Sequence, residues 1–82
     1  MLITYDEPKR LTNLAKHGLD FAALTVAFFE AASIYPAKAG RSLALGELDG
    51  QIVIVVVFRP LGSKALSIVS MRPASRKERQ LL

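Results

Sequence analysis

The sequence predicts an α+β fold, an antiparallel sheet covered by helices, and three observations carry that prediction. Residues Gln51 to Phe58 read Gln-Ile-Val-Ile-Val-Val-Val-Phe, an unbroken apolar and largely β-branched run that suits a strand covered on both faces. Asp49-Gly50 stands before it and the alternating stretch Ser42 to Leu48 before that; Asp-Gly between two strand-like runs signals a hairpin. The long helical patterns are confined to the N-terminal part of the chain, and such segregation of helices from strands belongs to α+β folds.

The chain has 82 residues, 51% apolar and 22% charged, which fits a single domain spanning 1–82 with one modest core. It has no cysteine, so disulfides and thiolate metal sites are excluded. One histidine without clustered carboxylates leads us to expect no metal site, and without a glycine-rich phosphate loop we expect no cofactor. The apolar run ending at Phe58 is far below the roughly 20 residues a membrane helix needs. Asp6 and Glu7 interrupt the N-terminus before a signal-peptide core forms, so a cytoplasmic protein with no membrane partner is expected. The net charge of +4 favours a polyanionic partner such as nucleic acid, and much of it lies in Arg72, Arg76, Lys77 and Arg79 against the single acid Glu78.

In order, Leu2 to Tyr5 is short and β-prone and reads as an edge strand. Asp6 is placed to cap a helix from Glu7 to His17, with Pro8 where a missing N–H costs nothing. Leu11, Leu14 and Ala15 fall at i, i+3, i+4, a narrow stripe for packing, and Gly18 supplies the left-handed C-cap. Asp20 caps a second helix, Phe21 to Ala32, nearly all apolar and expected to lie across the sheet, with Leu19 spaced to staple onto Leu24. Ser33 to Arg41 reads as a loop, with room for a short strand near Ile34. The hairpin follows, then a turn at Arg59-Pro60-Leu61-Gly62 and a last strand from Lys64 to Met71 that Pro73 ends. Ser75 and Glu78 complete a capping box opening a short basic C-terminal helix.

Three groups of residues are suited to chemistry. His17, between Lys16 and Gly18, has the side chain whose ordinary pKa lies nearest neutrality and can carry a proton either way; the same three residues also fit a plain helix end, where basic groups complement the helix dipole. Arg72, Arg76 and Arg79 are spaced so that three guanidinium groups can converge on one phosphate, or can equally form a solvated helix face. Arg41, alone before the hairpin, reads as a surface residue unless the fold turns it toward the other cations.

The order of these motifs resembles the BrnT toxin family. Tyr5-Asp6, Lys9 and then Asn13-Leu14-Ala15-Lys16-His17-Gly18-Leu19-Asp20-Phe21 are similar to its opening pattern of aromatic-Asp, Lys and Asn-x-x-Lys-His-Gly-(Ile/Val)-x-Phe. Arg41, the Asp49-Gly50 hairpin, Ile52 to Phe58, Ile68-Val69-Ser70-x-Arg72 and Ala74-Ser75-Arg76-Lys77-Glu78-Arg79 match its latter half, so the resemblance runs from about Tyr5 to Arg79. It implies a RelE-like fold, with two N-terminal helices packed on the sheet and a short C-terminal helix. It further implies a metal-independent RNA endonuclease, the toxin of a type II toxin-antitoxin pair that inhibits translation. Its partners would be RNA and a BrnA-type antitoxin, with DNA reached only through the antitoxin and a higher-order complex with it. In the scheme that follows, an RNA 2′-hydroxyl attacks the adjacent phosphate. His17 or a neighbouring group moves the proton, Arg72, Arg76 and Arg79 stabilise the phosphoryl oxygens, and Lys16, Arg41 and Lys77 bind the RNA. The chain departs from the family pattern at Gly40, where an acid is common, at Ser67, where an Arg is common, and at Leu82, where an aromatic is common beyond the last helix. Those departures motivate an alternative, a weakened toxin fold kept as an antitoxin-binding module in a repressor complex.

Overall fold

The computed structural model describes residues 1–82. The chain runs β1 (Leu2–Tyr5), α1 (Glu7–His17), a 3-10 turn (Phe21–Ala23), α2 (Val26–Ala31), β2 (Ser33–Pro36), β3 (Ser42–Leu48), β4 (Ile52–Leu61), β5 (Ala65–Pro73) and α3 (Arg76–Arg79). The strands form one sheet in the order β1-β5-β4-β3-β2. From β2 to β5 it is an antiparallel meander. The expected all-antiparallel sheet is corrected at one edge: β1 pairs with β5 in parallel, Leu2 opposite Ala65 through Tyr5 opposite Ile68. The intervening chain is long, so no hairpin dictates the direction in which these two strands meet.

The hairpin forms where Asp-Gly predicts it. Leu48 pairs with Ile52, Asp49 and Gly50 have φ of 55° and 68°, and the Gln51 N–H donates to the Leu48 carbonyl at 3.2 Å. Two successive positive φ values make the tight turn whose twist matches the flanking strands. In β4, Ile54, Val55 and Val56 are buried, so the strand is covered on both faces over these three residues; Val53 and Val57 are half-buried and Ile52 is exposed. Fully burying side chains such as Ile54 and Val56 contributes about 1.5–3 kcal/mol each.

One face of the sheet carries the main core, in which Phe21, Leu24, Phe28 and Phe29 pack with Ile54, Val56, Phe58, Leu66, Ile68 and Met71. Phe29 meets Phe58 edge-on at 5.3 Å between ring centres, a favoured aromatic geometry. Gly46 is needed where α2 crosses β3, because a Cβ there would lie 3.2 Å from Phe28 Cε1 and 3.3 Å from Ala32 Cβ. On the other face, Tyr35, Leu43, Glu78 and Leu81 frame a small cavity of about 100 Å³ over Leu45 and Val55. The C-terminal turn of the chain thus supplies the second cover.

Two helical expectations are corrected. The helix predicted from Phe21 to Ala32 is broken: Leu24 and Thr25 are extended, and the Thr25 hydroxyl accepts the Phe28 N–H at 3.2 Å to open α2 afresh. A threonine offers the backbone this alternative bond and so favours caps over helix interiors. Asp20 does cap as expected, accepting the Ala22 N–H at 2.9 Å, but what it opens is the 3-10 turn. In α1 the range is as predicted, with Gly18 as left-handed C-cap, while Asp6 caps without a side-chain hydrogen bond. Its packing face is not the leucine stripe. Leu11 and Leu14 are exposed, at 53% and 36%, and the buried residue of α1 is Asn13.

Candidate active site

The rotation of α1 follows from the end of β1. Pairing between β1 and β5 stops at Tyr5 and Ile68, which leaves the outer edge of β5 beyond Ile68 without a strand. An unpaired backbone group there must find another partner or lose stability. The Met71 N–H donates to Asn13 Oδ1 at 3.1 Å, and Asn13 Nδ2 donates to the Leu19 carbonyl at 3.2 Å. Asn13 therefore turns the polar face of α1 toward β5 and sends the leucines outward.

This face carries Lys9, Thr12, Asn13 and Lys16 at i, i+3, i+4, i+7, one side of a helix. Together with Pro8, His17, Val69, Ser70 and Arg72 they line an open cleft of about 490 Å³. Val69 is the extra residue of a bulge, since Val57 pairs with Ser70 and Phe58 with Ile68. Bulges re-aim side chains, and this one lies in the cleft wall. His17 ends α1, and the Gly18 N–H closes the helix on the Leu14 carbonyl at 2.8 Å, so the imidazole stands partly exposed at the cleft's end.

Arg72 is held by its own chain. Its Nη1 donates to Glu78 Oε1 and its Nη2 to Glu78 Oε2, both at 2.8 Å. The Ser75 N–H also donates to Glu78 Oε1 at 2.8 Å, and the Glu78 N–H donates to Ser75 Oγ at 3.1 Å, the capping box the sequence predicts. The Arg72 guanidinium, and after it the Ser75 N–H, lower the Glu78 carboxyl to about 2. A second network lies behind the cleft: Arg10 bonds Glu7 and both oxygens of Asp20. The Asp20 carboxyl is lowered by the Ala22 N–H and by Arg10.

The structure brings Lys16, His17 and Arg72 together in the cleft and adds Lys9, Thr12, Asn13 and Ser70, which sequence reasoning did not single out as site residues. The i, i+3, i+4, i+7 spacing from Lys9 to Lys16 is the signal that would have found the helical ones. Arg76, Lys77 and Arg79 are exposed on α3, Arg41 is exposed before β3, and none of the four lines the cleft. The convergence of three arginines is replaced by Arg72 gripped from α3 by Glu78. No carboxylate lines the cleft, and Lys9 and Lys16 form no ion pair. No group of three His, Cys, Asp or Glu side chains is placed to hold a metal, and no helix is long and apolar enough to cross a membrane. The site offers cations, one imidazole and hydroxyls, a set suited to an anion that must exchange a proton.

Comparison with known proteins gives this arrangement a family. The profile described as "Ribonuclease toxin, BrnT, of type II toxin-antitoxin system" matches residues 5–78. Among curated proteins, none matches the chain. Among solved structures, the crystal structure of the Brucella abortus ribonuclease toxin BrnT is similar, at 58% sequence identity and a TM-score of 0.87, over 93% of this chain and 99% of that one. The chain belongs to the BrnT family of ribonuclease toxins of type II toxin-antitoxin systems.

Proposed function

We propose that this ribonuclease toxin cuts RNA without a metal ion, in the cleft between α1 and β5. The observation that carries the reading is the placement of His17 in one cleft with Lys9, Lys16 and Arg72 and with no carboxylate. A phosphodiester bound there would have its charge opposed by Lys9, Lys16 and the held Arg72, and cations so placed stabilise the pentavalent transition state more than the ground state. The 2′-hydroxyl oxygen forms a bond to phosphorus as the P–O5′ bond breaks. The 2′-hydroxyl gives up its proton and O5′ gains one, leaving a 2′,3′-cyclic phosphate and a 5′-hydroxyl. His17 moves one of these protons, and Arg72 stabilises the phosphoryl oxygens. Arg41, Arg76, Lys77 and Arg79 add to the positive field that draws the polyanion in.

The same reading gives the protein a BrnA-type antitoxin that neutralises it, with DNA reached only through that partner and translation stopped when the toxin is free. It also treats the fold as RelE-like. The test is purified protein incubated with end-labelled RNA in EDTA. Cyclic-phosphate and 5′-hydroxyl ends are expected, and 3′-hydroxyl and 5′-phosphate ends, or cleavage only on adding a divalent metal, would refute the mechanism.

A further inference from the structure

We propose that Glu78 is a positioning residue for RNA cleavage: it grips Arg72 by the Nη1–Nη2 end and leaves the Nε–Nη2 edge of the guanidinium for a phosphate. The inference rests on the reading of the cleft as the RNA site. A guanidinium carries five N–H groups in a rigid plane. Glu78 takes one from Nη1 and one from Nη2, each at 2.8 Å, and the Pro73 carbonyl receives a weaker bond from Nη1 at 3.4 Å. The Nε–H and the second Nη2–H take no acceptor from the chain. These two point the same way and match two oxygens of one phosphate.

Glu78 can act as a fixed post because it is itself held from two sides. Its Oε1 accepts the Ser75 N–H, and its own N–H is bound to Ser75 Oγ. Arg72 ends on the cleft wall, so a line of hydrogen bonds runs from the α3 cap through Glu78 to the cleft. Without it, a long flexible side chain would have to be ordered anew in each transition state. The lowered carboxyl of Glu78 extends the range in which the pair stays charged from the neutral region well into acid. The capping box would be satisfied by Glu78 bonding Ser75 alone; the bidentate grip on Arg72 is what a capping role does not require.

The experiment measures kcat and KM on one labelled RNA for the full chain and for Glu78→Ala, Arg72→Ala, the double variant and Ser75→Ala. We expect Glu78→Ala to lower kcat by about 10- to 100-fold with KM changed less than about 3-fold, the pattern of lost positioning. In the Arg72→Ala background the same change should cost less than about 2-fold, because the two residues act as one unit. Ser75→Ala removes the Oγ bond to the Glu78 N–H but leaves the ion pair and the bond from the backbone N–H of residue 75, so it should lower kcat by less than Glu78→Ala does while lowering the melting temperature. If Glu78→Ala does not fold, Glu78→Gln retains the acceptor shape and should show an intermediate kcat. Unchanged or raised kcat in the folded Glu78 variant, or equal losses in both backgrounds, would overturn the inference. Full activity of Arg72→Ala would instead overturn the reading of the cleft, whereas an inactive Arg72→Ala beside a fully active Glu78→Ala would sink the role of Glu78 alone.

Discussion

The Asn13 side chain takes the place of a neighbouring strand at Met71: its Oδ1 accepts the Met71 N–H at 3.1 Å on an edge of β5 that β1 does not reach. Met71 is fully buried in the core and Asn13 lies in the cleft wall. One hydrogen bond therefore joins the helix that carries Lys9, Lys16 and His17 to the strand that carries Arg72. The position of the cleft depends on it.

Asn13→Leu should accordingly be far more damaging than its size suggests. It leaves a buried N–H without an acceptor, a loss of about 1–3 kcal/mol. Urea denaturation should show a lower midpoint, with the slope unchanged. A midpoint equal to the parent's would mean that α1 is held by other contacts.

Leu11 and Leu14 should behave in the opposite way. Leu11 is 53% exposed and Leu14 36% although they look like a packing stripe, so Leu11→Ser should shift stability by no more than about 0.5 kcal/mol and Leu14→Ser by about 1 kcal/mol at most. A loss of several kcal/mol in the same denaturation experiment would show that the leucine face is the packed one.

Acid should destabilise the fold through Glu78 and Asp20. Glu78 is held at about 2 and Asp20 is lowered too, so each binds fewer protons folded than unfolded. Their stabilisation is complete above the ordinary carboxylate range, near 4.5 for Glu78, and is lost as pH falls toward 2. Melting temperature should be flat from about pH 7 to 5 and then fall, less steeply in Glu78→Gln. Both ion pairs are partly exposed, so salt should soften the effect. An unchanged acid limb in Glu78→Gln would place its origin elsewhere.

The α3 cations should affect encounter more than chemistry. Arg76→Ala and Arg79→Ala, on exposed residues outside the cleft, should each reduce the slope of log affinity against log salt by about 1 at most. Single-turnover cleavage at saturating protein should remain near the parental rate. A collapse of that rate would bring these arginines into direct contact with the reacting phosphate.

Much of this architecture was legible where the signal is local. Asp49-Gly50 dictates its turn through backbone conformation, Ile52 to Phe58 through β-branching, and Ser75 with Glu78 through a cap that spans one helical turn. The failures arise where a distant partner decides or where a local side-chain bond competes with the helix. Leu11, Leu14 and Ala15 have the spacing of a core stripe, yet the free edge of β5 at Met71 demands a polar face. Phe21 to Ala32 is apolar enough for one helix, yet the Thr25 hydroxyl opens a new cap within it. Arg72 and Glu78 sit on opposite sides of a strand-to-helix joint, and no periodicity relates them. The cleft was half visible: Lys16, His17 and Arg72 stood out by chemistry, while Lys9 and Thr12 needed the rotation of α1 to be known.

The cleft as the cutting site is tested most directly by single-turnover cleavage of one labelled RNA in EDTA, comparing the parent with folded His17→Ala and Arg72→Ala. Loss of a proton-transfer group or of a charge-stabilising donor lowers such rates by about 10²–10⁴-fold and 10²–10³-fold respectively, and we predict falls in these ranges, at unchanged melting temperature for His17→Ala and a modestly lower one for Arg72→Ala, which gives up its ion pair with Glu78. Parental rates in both variants would contradict the assignment and move the chemistry out of the cleft between α1 and β5.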